Sequence, residues 1–334
     1  MPIRLVDRVP VVRPETLVAA LVPPPHFAAV RFETYAPDPG QPSQAAAVER
    51  LRVFAGTLEP APKRLLRKGR GPTGRPGVYL DGGFGVGKTH LLASLWHAAP
   101  EPRAYATFVE LTHLVGALGF ARSVEALSSH RLLAIDEFEL DDPGDTVLVS
   151  TLLARLVEAG GRVAATSNTL PEALGEGRFD AVDFLREIQQ LSAHFEPVRV
   201  DGEDYRHRGL PAAPQPATDE EVRLRAEGTP GASYDVFADL LGHLAQLHPS
   251  RYGALIDNVP LVCLTGLRPV SDQAAALRLV VLADRLYDRD VPVVASGVAL
   301  DGLFPAELLA GGYRKKYLRT VSRLTALSRQ AEGR

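Results

Sequence analysis

Residues 82–89, Gly82-Gly83-Phe84-Gly85-Val86-Gly87-Lys88-Thr89, fit the pattern G-x-x-x-x-G-K-[ST], and the residue types answer the demands of phosphate binding. Glycines at 82, 83, 85 and 87 let the main chain wrap close to phosphate oxygens with its N–H groups turned inward. A helix that follows directs its positive end at the same oxygens. Lys88 adds a movable ammonium for the β and γ phosphates, and Thr89 adds a hydroxyl for Mg2+. The whole segment, Phe84 and Val86 included, reads as a cradle for Mg-ATP. Its flanks have the required character, an apolar strand-like run GVYL before it and an apolar helical run HLLASLW after it.

Two further groups can complete such a site. Residues 131–138, RLLAIDEF, read as a buried strand ending in two carboxylates, the place where open α/β sheets put their ligands. Asp136 is suited to hold Mg2+ through water, and Glu137 to orient and polarise the water that attacks the γ phosphate. The run RVAAT at 162–166 ends in Ser167-Asn168, whose amide can bridge that water and the γ phosphate; taken alone, Ser-Asn after a strand is an ordinary turn signal. Arg178 and Arg186, flanking Phe184-Leu185, are the candidates for a cationic finger, with a surface ion pair as the other reading of each. No H-e-x-x-H or other paired histidine spacing occurs, so no zinc site is expected, and no G-x-S-x-G elbow supports a serine hydrolase.

Positioning these residues requires parallel strands that alternate with helices, and the sequence alternates in that way from Gly77 onward. Val78–Leu80, Arg103–Val109, Leu132–Ile135, Arg162–Thr166 and Val198–Val200 read as strands. His90–Ala98, Leu111–Leu118, Thr146–Glu158 and Ala181–Ala193 carry helical periodicity. Upstream, a proline-rich arm precedes a helix for which Ser43 is the expected N-cap. The basic stretch at 63–75, KRLLRKGRGPTGR, reads as a solvated linker. A Pro-, Ala- and charge-rich stretch at 209–230 marks the end of the core. Beyond it lie an expected helix at Tyr234–Leu247, a strand at Leu261–Leu264, a helix at Asp272–Arg289 and a strand at Val291–Ala295. The expected fold is α/β, a P-loop NTPase with a parallel sheet flanked by helices. Its divisions are an N-terminal arm and helix (1–70), the ATPase core (71–208), a linker (209–230) and a smaller C-terminal α/β module (231–334).

Composition narrows the partners. The 334 residues carry a net charge of −3, with 23% charged and 46% hydrophobic residues, so the chain has no global attraction to nucleic acid. Cys263 is the only cysteine, which precludes an intrachain disulfide and fits a reducing compartment. Prolines break the apolar N-terminus, no secretion signal is read there, and no run of about 18 apolar residues suits a bilayer. A cytoplasmic protein is expected.

With those residues in hand, the chain resembles the ZapE-type or AFG-like ATPases of the AAA+ class. The likeness rests on Tyr35-Ala-Pro-Asp38 with Gln44, GVYLDGGFGVGKTHL, LLAIDEFELDD with Thr146, VAATSNTLPEAL, Phe184-Leu185 and Asp204-Tyr205-Arg206. In the tail it extends to Leu282-Ala-Asp284-Arg-Leu-Tyr287-Asp288 and to Leu318-Arg319-Thr320-Val-Ser322-Arg323-Leu324. The resemblance implies ATP hydrolysis with Mg2+, Asn168 at the sensor position, and association with FtsZ or another protein of the bacterial division ring. Where the family carries an N-G-L-x-R stretch, this chain reads GEGRFDAVD at 175–183. A site completed by a neighbouring subunit would make the protein a homo-oligomer. The rival reading is a DNA-directed ATPase of the helicase-loader type, for which 63–75 and Arg314-Lys315-Lys316 are the basic clusters.

Overall fold

Short apolar runs between residues 77 and 200 become strands of one parallel sheet, and the amphipathic runs between them become its covering helices. A computed structural model describes residues 1–11, 14–58, 74–83, 85–140, 143–170, 174, 185–202 and 213–332. Two units divide the chain, one of Pro14–Pro23 and Phe27–Gly209, the other of Met1–Arg13, Pro24–His26 and Leu210–Arg334.

The first unit runs α1 (Pro14–Ala19), α2 (Pro42–Gly56), β1 (Gly77–Gly82), α3 (Lys88–Ala98), β2 (Arg103–Thr107), α4 (Phe108–Leu118) and α5 (Phe120–Leu127). It continues with β3 (Leu132–Asp136), α6 (Pro143–Glu158), β4 (Arg162–Ser167), α7 (Leu185–Ala193) and β5 (Phe195–Val200). Sheet order is β2-β3-β4-β1-β5 with every neighbouring pair parallel. Both β1 and β3 are buried along their whole length, as strands covered on two faces must be. Successive residues serve opposite faces. Tyr79, Leu133, Ile135, Val163 and Ala165 pack with Phe138, Leu152 and Phe195, while Val78, Leu80, Leu132, Ala134 and Ala164 pack with Leu51, Leu91 and Leu95.

Among the boundaries that differ from the sequence expectation, those of β2 and α2 have a clear local reason. Strand β2 stops at Thr107 because Thr107 caps α4. Its N–H donates to the Glu110 carboxylate at 2.7 Å, and the Glu110 N–H donates back to its hydroxyl at 3.2 Å, which draws Phe108 and Val109 into the helix. Helix α2 starts at Pro42, with Gln41 as N-cap, since proline suits the first helical turn. Ser43 accepts instead from the Asp201 N–H at 2.9 Å. The helix expected from Ala181 is observed from Leu185, and residues 181–184 lie outside the described residues.

The second unit contains α8 (Asp219–Gly228), β6 (Ser233–Val236), α9 (Phe237–Gln246), α10 (Tyr252–Leu255), β7 (Val262–Leu267), α11 (Gln273–Asp288), β8 (Val293–Gly297), α12 (Ala306–Leu309) and α13 (Arg314–Glu332). Strands β6, β7 and β8 form a parallel sheet in that order. Part of the expected 209–230 linker is folded as α8, with Val222 and Ala226 buried beside Cys263. Tyr234 and Val236, expected in a helix, lie in β6, and α9 starts one residue later. The first residues of the chain belong with this unit: Ile3 bridges Ser233, Leu5 is fully buried, and the Asp235 carboxylate accepts from the N–H groups of Leu5 (3.0 Å) and Val6 (3.2 Å). On α13, Arg319 and Arg323 both donate to Asp284 of α11, and that paired charge holds the Asp284 carboxyl below its ordinary range against the desolvation that raises it.

Candidate active site at the carboxyl ends of the parallel strands

Strand β4 lies between β1 and β3, so the turn after β4 emerges between the glycine-rich loop and the acidic pair. That arrangement brings together residues distant in sequence. The Lys88 ammonium, on the first residue of α3, is buried and donates to the carbonyls of Gly82 (2.9 Å) and Gly83 and to Asn168 Oδ1 (2.9 Å). One hydrogen-bonded group thus joins the ends of β1, α3 and β4.

Glycine is required at both ends of the loop. A Cβ at Gly82 would lie 2.0 Å from the Val200 carbonyl oxygen of β5. Gly87 has φ 88°, in the left-handed region, and a Cβ there would lie 2.6 Å from the Tyr35 ring. Just below the loop, the buried Asp81 carboxylate pairs with Arg199 of β5 at 2.6 Å. Phe84 lies outside the described residues; Val86 is buried, with its side chain in the core beneath the loop.

On the other side of β4, the Asp136 carboxylate is buried and, among the described residues, hydrogen-bonded by hydroxyls: Thr89 at 3.2 Å, Tyr105 at 3.0 Å, and Thr166. Burial first, and the neighbouring Glu137 carboxylate second, push the Asp136 carboxyl above its ordinary range, while the three hydroxyls oppose that shift. A buried carboxylate so placed, with an alcohol alongside, is the donor set that a hard divalent cation matches: oxygen ligands that lack a positive charge. Thr89 and Asp136 are therefore the residues that fit Mg2+. No group of three or more His, Cys, Asp or Glu side chains arranged for a metal occurs among the described residues.

Glu137 follows in a strained conformation, φ 54°, unusual for a residue with a side chain. Two bonds from β4 hold the turn: the Glu137 N–H donates to Thr166 Oγ1 at 3.0 Å and the Phe138 N–H to the Thr166 carbonyl at 2.7 Å. Thr166 therefore touches both acidic residues. Neither Thr166 nor Tyr105 stands out in the sequence, although a threonine closing the apolar run RVAAT is a polar residue where a buried strand meets its ligand edge. Arg186 is exposed on α7 and takes no part in these hydrogen bonds, and Arg178 lies outside the described residues.

The family described as AFG1-like ATPase matches residues 11–229 and 211–332. The cell division protein ZapE of Escherichia coli, in strain K12 and in O157:H7, is 30% identical over 149 residues, covering 41% of this chain and 40% of that protein. The chain thus spans about two-fifths of the length of the curated relatives it matches. Among solved structures, domain III of the replication initiation protein DnaA from Thermotoga maritima is 18% identical, covers 70% of this chain and 88% of that chain, and has a TM-score of 0.39. AMPPCP-bound DnaA from Aquifex aeolicus is 14% identical, covers 66% and 64%, and has a TM-score of 0.41. No helix among the described residues is long and apolar enough to cross a membrane.

Proposed function

The chain belongs to the AFG1-like ATPase family, and from that premise we propose that it hydrolyses ATP with Mg2+ and couples turnover to a protein partner. The proposed partner is the division ring, FtsZ or a protein bound to it, and the proposed setting is the cytoplasm. One observation carries the chemical half: the hydrogen-bonded convergence of Lys88, Asn168, Thr89 and Asp136 on neighbouring strand ends. A phosphate cradle alone binds nucleotide; a cradle beside an acidic pair and a polar amide is equipped to hydrolyse it. The division half is supported by the likeness to ZapE.

In this reading the loop N–H groups and Lys88 hold the β and γ phosphates, and Lys88 exchanges its carbonyl and Asn168 contacts for phosphate oxygens. Thr89 and Asp136 would hold Mg2+, which would supply charge neutralisation to those phosphates. Asn168 and Glu137 orient the attacking water. Its oxygen forms the new bond to the γ phosphorus as the bond to the β,γ-bridging oxygen breaks, and the water's proton passes to the Glu137 carboxylate. Tyr105 and Thr166 keep Asp136 in one orientation. An arginine from a second copy of the chain, Arg178 for preference, is the proposed finger.

The test is co-sedimentation with polymerised FtsZ, with and without Mg-ATP, using Lys88→Ala as the control. Removal of a buried, charge-assisted donor should weaken Mg-ATP binding by at least about tenfold, and with it any nucleotide-dependent pelleting. Absence of pelleting with FtsZ under every condition would remove the division-ring claim, and pelleting identical with and without ATP, and in the variant, would remove its coupling to the nucleotide; both leave the ATPase claim standing. Retained affinity for Mg-ATP in Lys88→Ala would refute the phosphate role of Lys88.

A further inference from the structure

The glycine-rich loop turns into α3 through one peptide unit, the one linking Val86 to Gly87. A trans peptide is planar, so its C=O and its N–H point in opposite directions. Whatever holds the Val86 carbonyl therefore also aims the Gly87 N–H. Glycine alone would leave that plane free to turn over, and a turned plane would present a carbonyl dipole where an N–H is needed.

Tyr35 removes that freedom. Its hydroxyl donates to the Val86 carbonyl at 2.9 Å, and its ring lies where a Cβ on Gly87 would be 2.6 Å away. The tyrosine is itself fixed from several sides. It meets His90 of α3 edge to face, with ring centroids 5.5 Å apart, and the Thr34 hydroxyl lies 2.9 Å from His90 Nε2. Further along the same segment, the Asp38 N–H donates to Gln44 Oε1 and the buried Gln44 amide donates to the Asp201 carbonyl, each at 2.8 Å. Gln44 and Val86 are both packed so closely on Gly202 that a Cβ there would lie 2.9 Å from one and 3.0 Å from the other. Residues 34–44 thus brace the loop from behind, with Tyr35 as the group that reaches its main chain.

We infer that Tyr35 is a positioning residue for phosphate binding: by holding the Val86 carbonyl it fixes the Gly87 N–H as a phosphate donor. This rests on the reading of the loop as an ATP site. Tyr35 need not touch the nucleotide to have this effect.

Tyr35→Phe tests it, since the ring and its contacts with Gly87 and His90 stay and the hydroxyl alone goes. Loss of one restraining hydrogen bond should raise KM for ATP and Kd for ADP about fivefold, with a larger share of the change in KM than in kcat. Inorganic tripolyphosphate, a competing ligand without a base or sugar, should lose inhibitory strength by the same factor. Unchanged inhibition by tripolyphosphate would overturn the inference, even if ATP binding weakened, because the hydroxyl would then serve the base or the fold. A wild-type chain that binds neither ADP nor tripolyphosphate would overturn the ATPase reading and this inference together, and so is distinguished from failure of the Tyr35 claim alone.

Discussion

Thr166 is the residue that ties the two acidic groups of the site together, because its hydroxyl donates to Asp136 and accepts from the Glu137 N–H. Valine has nearly the same shape and neither bond. Thr166→Val should therefore leave the sheet intact while loosening the strained turn at Glu137. With the two lost hydrogen bonds worth about 1 kcal/mol each, turnover at saturating Mg-ATP should fall by up to about thirtyfold, more than the affinity for ATP does. Measured phosphate release equal to wild type would remove the positioning role of Thr166. The contrast with Lys88 shows what a sequence exposes at this scale. Lys88, Asp136, Glu137 and Asn168 were legible because motif spacing and strand ends single them out. Thr166 and Tyr105 were not, because a hydroxyl acquires its partner only through strand register, here the pairings of Ile135 with Ala165 and of Thr107 with Asp136.

At the scale of elements, the strand–helix alternation was readable and the errors gather where a polar cap competes with an apolar run. Phe108 and Val109 suit a strand by type, yet the Thr107–Glu110 capping box turns them into the first residues of α4. The same signal, Thr218 with Glu221, opens α8 inside a stretch that proline, alanine and charge make look like a linker. That cap should be worth about 1 kcal/mol. Thr218→Ala is expected to speed hydrogen exchange of the first α8 amides about fivefold, by the usual conversion of free energy into an equilibrium constant. Unchanged protection would mean that α8 is held by Val222 and Ala226 in the core and gains nothing from its cap. The order β2-β3-β4-β1-β5 had no local signature, and it is this order that puts Asn168 between the loop and the acidic pair.

For the whole molecule, the two compact units meet in sequence at Gly209 and Leu210, and the membership of the first residues in the second unit has no local signal. Ile3 pairs with Ser233 and Leu5 is buried in the core of the second unit, contacts across some 230 positions that no local pattern announces. The N-terminal segment is thus a structural part of the unit that also contains α13, and the two segments of the first unit lie in sequence between its pieces. The proposed ATP site is that of a hydrolase and more than a nucleotide binder, and Glu137 is where those two functions part. Steady-state phosphate release from Mg-ATP, measured for the wild-type chain and for Glu137→Gln with calorimetric ATP binding alongside, tests this directly. Turnover is expected in the wild type, with a fall of about tenfold or more in the variant and retained binding, as loss of water activation requires. Equal turnover in the two proteins would contradict it.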